Sequence, residues 1–149
     1  MSELFNSTFE VKLRMIQLMS VSRKRSYTVD QMVALDFITC YAAEFDLPFS
    51  NLHGQNGFKY SEISSRRLLA HQAIKDLVME GMVDVKVDHG YLFSISETGI
   101  RYAKKFKSRY ALTYREIAKE VIKKYRNYTD DGLFVLLQQR SLDTAKGRQ

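Results

Sequence analysis

Three histidines, one cysteine and a scatter of carboxylates are the groups in this 149-residue chain that could do chemistry. His53, His71 and His89 fall on different predicted elements. No two have the i, i+4 spacing by which paired imidazoles on one helix hold zinc, and no second thiol joins Cys40. Cys40 lies in an apolar helical stretch with no His or Asp pattern around it, so it reads as a small buried hydrophobe. Asp84 and Asp88 sit on a predicted hairpin. Asp130 and Asp131 suit a helix start, where carboxylates meet the positive end of the helix dipole. Gly54 and Gly57 lie in the turn-rich stretch 51–57, but no Gly-Lys-Ser/Thr follows, which excludes a Walker A phosphate loop. The sequence therefore predicts no catalytic residue, no metal site and no cofactor. It predicts a protein that binds.

The charge pattern says what it could bind. The net charge is +6, which favours an acidic partner such as nucleic acid or an acidic protein face. Between residues 101 and 126 ten basic residues stand against only Glu116 and Glu120. Arg101, Lys104, Lys105 and Lys107 open this run. It can be a phosphate-contacting face or simply a solvated helix face. On the predicted 65–80 helix, Arg67, His71 and Lys75 recur every four residues and make one stripe opposite the apolar side. Lys86 and His89 add charge on the hairpin. These side chains are thin for base readout, so DNA bound here would be double-stranded and held with little sequence preference. Tyr27, Tyr60 and Tyr128 lie beside predicted loops, where exposure is expected, but they build no stacking platform.

Periodicity supplies the elements that must carry these groups. Residues 7–20 read as a first helix on Phe9, Leu13, Ile16 and Met19. Thr28-Val29-Asp30-Gln31 is a capping box, and a second helix is predicted from it to about Glu44, with Val33, Phe37, Ile38 and Tyr41 inward. Residues 45–60 are irregular, with a short helical turn expected over 60–64. A third helix runs to Glu80 on Leu69, Ala73, Leu77 and Val78, and Gly81 ends it in a left-handed turn. Alternation over 83–87 and 91–95 around Asp88-His89-Gly90 predicts a β-hairpin whose Val83, Val85 and Val87 fold back on that helix. Ser96 caps a helix containing Ile100, Tyr102, Ala103 and Phe106. Another spans about 111–126 on Tyr114, Ile117, Val121 and Tyr125. The last helix holds Leu133, Leu136 and Leu137, and it either closes the core or meets a partner. Residues 1–140 are expected to form one domain, and 141–149 a flexible polar tail. No segment approaches the roughly 20 apolar residues of a membrane span. The first six residues lack a signal-peptide pattern, and the single cysteine fits a reducing compartment, so a cytoplasmic location is expected.

The order helix, glycine stop, hairpin, helix resembles a winged-helix unit. The predicted fold is mainly α (α+β), with one β-hairpin wing and flanking N- and C-terminal helices. Fold alone does not assign function, because winged helices serve protein contacts as well as groove contacts.

The whole layout is similar to a known family. The residues that carry the likeness are Tyr27-Thr28-Val29-Asp30-Gln31-Met32-Val33-Ala34-Leu35-Asp36-Phe37, then Leu52-His53-Gly54, then Tyr60-Ser61-Glu62-Ile63-Ser64-Ser65-Arg66-Arg67. Leu77 with Gly81-Met82-Val83, and Glu97-Thr98-Gly99, complete it. Together they resemble the small middle component of ABC-three-component systems, the Lamassu-type anti-phage operons of bacteria. The resemblance covers about residues 9–137 and carries no catalytic signature. It implies a kleisin-like or adaptor subunit that works with a large SMC-like ATPase and an effector nuclease, coupling the sensing of foreign DNA to the effector. A stand-alone winged-helix transcription regulator, dimeric and with the 65–80 helix in the major groove, is the competing expectation.

Overall fold

Residues 7–54 and 57–147 are described here from a computed structural model. Residues 1–6, the stretch without a signal-peptide pattern, lie outside the described residues, as do Gln55 and Asn56 of the turn-rich stretch and the last two residues of the predicted tail. Six α-helices and one two-stranded antiparallel sheet make up the fold among the described residues, which bears out the mainly helical class.

Helix α1 covers Thr8–Ser20 and is capped by the Ser7 hydroxyl, which accepts from the Glu10 amide. Helix α2 covers Val29–Cys40 and starts on the full Thr28–Gln31 capping box. Every residue from Met32 to Cys40 is buried, so α2 is the central helix rather than an amphipathic surface one. It stops earlier than the sequence predicts. Tyr41 leaves the helical region, a 3-10 turn covers Ala42–Phe45, and Asp46 takes a left-handed φ of 61°. Local bonds hold the break: the Asn51 side-chain oxygen accepts from the Ala43 amide, and the His53 amide donates to the Cys40 carbonyl.

A second 3-10 turn, Lys59–Glu62, leads into α3, Ile63–Met79. Gly81 follows with φ 76°, the left-handed stop expected for it. Strands β1 (Val83–Val87) and β2 (Tyr91–Ile95) pair in the expected register, Val85 opposite Phe93 and Val87 opposite Tyr91. The hairpin differs from expectation in what it buries. Val83 is in the core, but Val85, Val87 and Tyr91 are exposed, because burial fades from Val83 and Ile95 at the base, through half-buried Phe93, to the tip. A further link was not predicted. Tyr27 and Phe93 exchange both backbone bonds at 2.8 Å, a bridge that adds the α1–α2 connection to the edge of β2. Tyr27 is fully buried as a result, not loop-exposed.

Helix α4 (Glu97–Ala103) is capped by Ser96, α5 (Arg109–Lys124) by Ser108, and α6 runs Asp130–Gly147. Helix α1 packs on α3, α4 and α5, and α2 on α3, α5 and α6. Phe9, read as a core position, is exposed and Val11 faces inward instead; Leu13, Ile16 and Met19 are buried as expected, with Met15 and Leu18 beside them. Leu133 and Leu137 are buried and close the core, while Val135 stays exposed. Helix α6 continues past residue 140, where a tail was expected. Arg140 reaches Asp46 at 2.8 Å and anchors the helix where the extra turns begin, and Gln139 bonds Asp143 one turn on within α6. No described helix is long and apolar enough to cross a membrane.

Candidate functional site

Helix α3 has two faces with opposite chemistry, and adjacent arginines mark them. Arg66 shares the inward stripe with Ala70, Ala73 and Leu77. Arg67 points the other way and is largely exposed.

Arg66 belongs to a buried charge cluster absent from the sequence-based expectations. At its centre is Asp36 of α2, 2 % exposed. Arg14 of α1 forks onto it, Nε to Oδ1 at 2.9 Å and Nη2 to Oδ2 at 3.2 Å. Arg66 Nη1 donates to Oδ2 at 3.0 Å, and the Tyr114 hydroxyl of α5 donates to Oδ1 at 2.7 Å. Burial works against an ionised carboxyl, but the two guanidinium charges and their hydrogen bonds outweigh it and hold Asp36 at about 2. Arg66 Nη2 also meets His53 Nδ1 at 3.2 Å, and His53 Nε2 meets the Tyr110 hydroxyl at 2.8 Å. Since guanidinium can only donate, Nδ1 is the acceptor and the ring proton sits on Nε2. Burial, then the Arg14 and Arg66 charges, push His53 down to about 3, so the ring is neutral. Cys40 lies beside the same carboxylate, with Sγ 3.8 Å from Oδ1. Burial and Asp36 push its thiol up to about 11, which leaves it protonated and poorly nucleophilic. The cluster joins α1, α2, α3, α5 and the 41–62 connection. It is a structural fastener, and its groups are turned away from solvent.

The outward face of α3 carries the predicted stripe. Arg67 grips Asp30 with two bonds, at 2.9 and 2.7 Å, and stacks its guanidinium 5.2 Å from the Phe134 ring. His71 and Lys75 are exposed, as expected, but what surrounds them is apolar. They line a groove of about 700 Å³ between α3 and the hairpin, floored by Ile74, Val78 and Phe93 and edged by Leu68, Met79, Val85 and Tyr91. Leu68 is 75 % and Met79 77 % exposed, so two large apolar side chains of α3 stand in water. A smaller depression of about 330 Å³ continues the groove to the Arg67–Asp30 pair, with His71 at the junction.

Lys86 is exposed on β1 but is absent from the groove wall, where its neighbour Val85 stands; the pleat turns the two to opposite faces. Arg101, Lys104, Lys105 and Lys107 are all exposed around the end of α4 and the link to α5. The three lysines have no ion-pair partner among the described residues. The structure thus splits the predicted basic residues into three groups: Arg67, His71 and Lys75 along the groove, Lys86 on the far side of the hairpin, and the 101–107 cluster. Among the described residues no group of three or more His, Cys, Asp or Glu side chains could hold a metal.

A family model described as ABC-three component (ABC-3C) system Middle Component 2 matches residues 4–146. No curated protein and no solved structure matches the chain.

Proposed function

From the premise that the chain belongs to the ABC-three component system Middle Component 2 family, and so works alongside the other components of such a system, we propose that it is their non-catalytic adaptor. In this reading it is a kleisin-like, cytoplasmic subunit of a Lamassu-type anti-phage or anti-plasmid complex. It joins an SMC-like ATPase to an effector nuclease and couples DNA sensing to the effector. Its core is a winged-helix unit: α1, the Tyr27 bridge, α2, α3 and the hairpin follow one another in the order helix, strand, helix, helix, wing.

One observation carries the adaptor over the regulator. The only arginine of the would-be reading stripe, Arg67, is forked onto Asp30, Gln72 of the same face donates to Asp76, and beside His71 and Lys75 that face presents the large apolar side chains of Leu68 and Met79. Base discrimination needs free bidentate donors, whereas exposed apolar side chains favour a protein surface. DNA contact falls instead to Arg101, Lys104, Lys105 and Lys107, which are exposed and can neutralise phosphates without reading bases. The element order is what favours a stand-alone regulator as the second reading.

The test is co-expression with the components encoded beside it, followed by size-exclusion chromatography and duplex binding at graded salt. A single complex is expected, and K104E, K105E and K107E together should abolish its contribution to duplex binding and flatten the salt dependence. A free homodimer that recognises a palindromic site and never joins the other components would overturn the adaptor.

A further inference from the structure

We propose that the groove between α3 and the hairpin is the socket for one amphipathic helix of another component, apolar on one side and carrying a carboxylate toward Lys75. The inference rests on the adaptor reading and adds where the partner sits and what its chemistry is.

The first ground is shape and surface. Leu68, Met79, Val85 and Tyr91 edge a groove floored by apolar side chains, and all four are exposed. The two contiguous lobes, about 700 and 330 Å³, have the volume for several side chains of one segment. The second ground is charge. Besides the phenol of Tyr91, the ionisable residues lining the two lobes are Arg67, His71, Lys75 and Asp30. Asp30 is the only acid among them and both its oxygens are taken by Arg67. Lys75 makes no ion pair among the described residues, so the unanswered charge on the rim is positive. An acidic occupant answers it.

The third ground favours a helix over a strand. A strand would have to add to a backbone edge; on β2 that edge is already bridged at Phe93, which exchanges both bonds with Tyr27, and this leaves only the outer edge of β1. What β2 offers the groove is side chains, which is how a helix is read, through anchors at i, i+3 or i+4, and i+7. A second copy of this chain fits poorly. Among the described residues its exposed stripe on α6 offers two large apolar side chains, Val135 and Leu142, and the chain is itself net +6.

The experiment uses the complex with the co-encoded components. Cys40 is buried, so in this chain, labelled before the other components are added, a thiol introduced as Leu68→Cys or Met79→Cys is the one that takes a benzophenone maleimide. Irradiation should join it to a peptide of another component with apolar residues at helical spacing and an Asp or Glu among them. In binding assays, Leu68→Asp with Met79→Asp should weaken the complex by about thirtyfold or more. Lys75→Glu should weaken it by about tenfold while Lys75→Arg does not. All are exposed positions, and unchanged thermal melting verifies the fold. An intact complex with cross-links only to this chain, only to DNA, or to nothing overturns the socket and leaves the adaptor standing. So do affinities within twofold of the unsubstituted protein. Failure of the unsubstituted components to assemble overturns the adaptor reading and the socket with it.

Discussion

Arg14 and Asp36 face each other through two nearly parallel N–H···O bonds, at 2.9 and 3.2 Å, with side chains only 1 % and 3 % exposed. Arg66 brings a second guanidinium to the same carboxylate. Two cations therefore depend on one anion in a site that water does not reach. Asp36→Asn removes the charge and keeps the shape. It should cost about 3–5 kcal/mol in urea unfolding, the range for a buried charge left uncompensated.

The cluster also sets an acid limit. Asp36 is held at about 2 in the fold against an ordinary 3.8, so its stabilisation is complete above the ordinary value and disappears as pH falls toward 2. His53 is depressed to about 3 from 6.5. The unfolded ring takes up a proton below 6.5 while the folded ring does not, so stability declines from about pH 6.5 toward 3. Melting temperature against pH should fall across both windows. His53→Asn should remove the upper part of the slope and leave the lower part to Asp36.

Two glycines should fail for different reasons. A Cβ on Gly99 would run into the Met82 carbonyl oxygen and lie 2.8 Å from Ile95 Cγ1, since α4 starts against the base of the hairpin. Gly99→Ala is expected to cost about 1–3 kcal/mol, as overpacking against backbone does. Gly81 has open space around it, and only its φ of 76° demands glycine. Gly81→Val should cost on the order of 1 kcal/mol or more, and Gly81→Asn less, in the same denaturant titration.

Helices and hairpin were legible because their signals are local. The Thr28–Gln31 box, the Gly81 stop and the alternation over 83–95 act within a few residues, and each stands where expected. The end of α2 was not, because Tyr41 and Ala42 are apolar enough to continue a helix and the bonds that stop it come from Asn51 and His53. The buried cluster had a signal that went unused. Asp36 is the only charge in the nine-residue run Met32–Cys40, and a lone carboxylate in a helix buried on all sides requires a counter-ion. Arg14, set between Leu13 and Met15, is its mirror image. Which of Arg66 and Arg67 would turn inward depended on the phase of α3, fixed by Ala70, Ala73 and Leu77. The apolar groove was illegible for another reason. Leu68, Met79 and Val85 look like core residues until the packing leaves them out.

The reciprocal bonds between Tyr27 and Phe93 change how the hairpin can move. A hairpin attached only through its two ends would swing about Gly81 and Ser96 like a door on a hinge. This one is latched on its β2 edge to the chain between α1 and α2, and α2 begins two residues beyond the latch, at Val29 after the Thr28 cap. A pull on the exposed tip is therefore carried as tension into the start of the central helix, not spent in bending at the glycine.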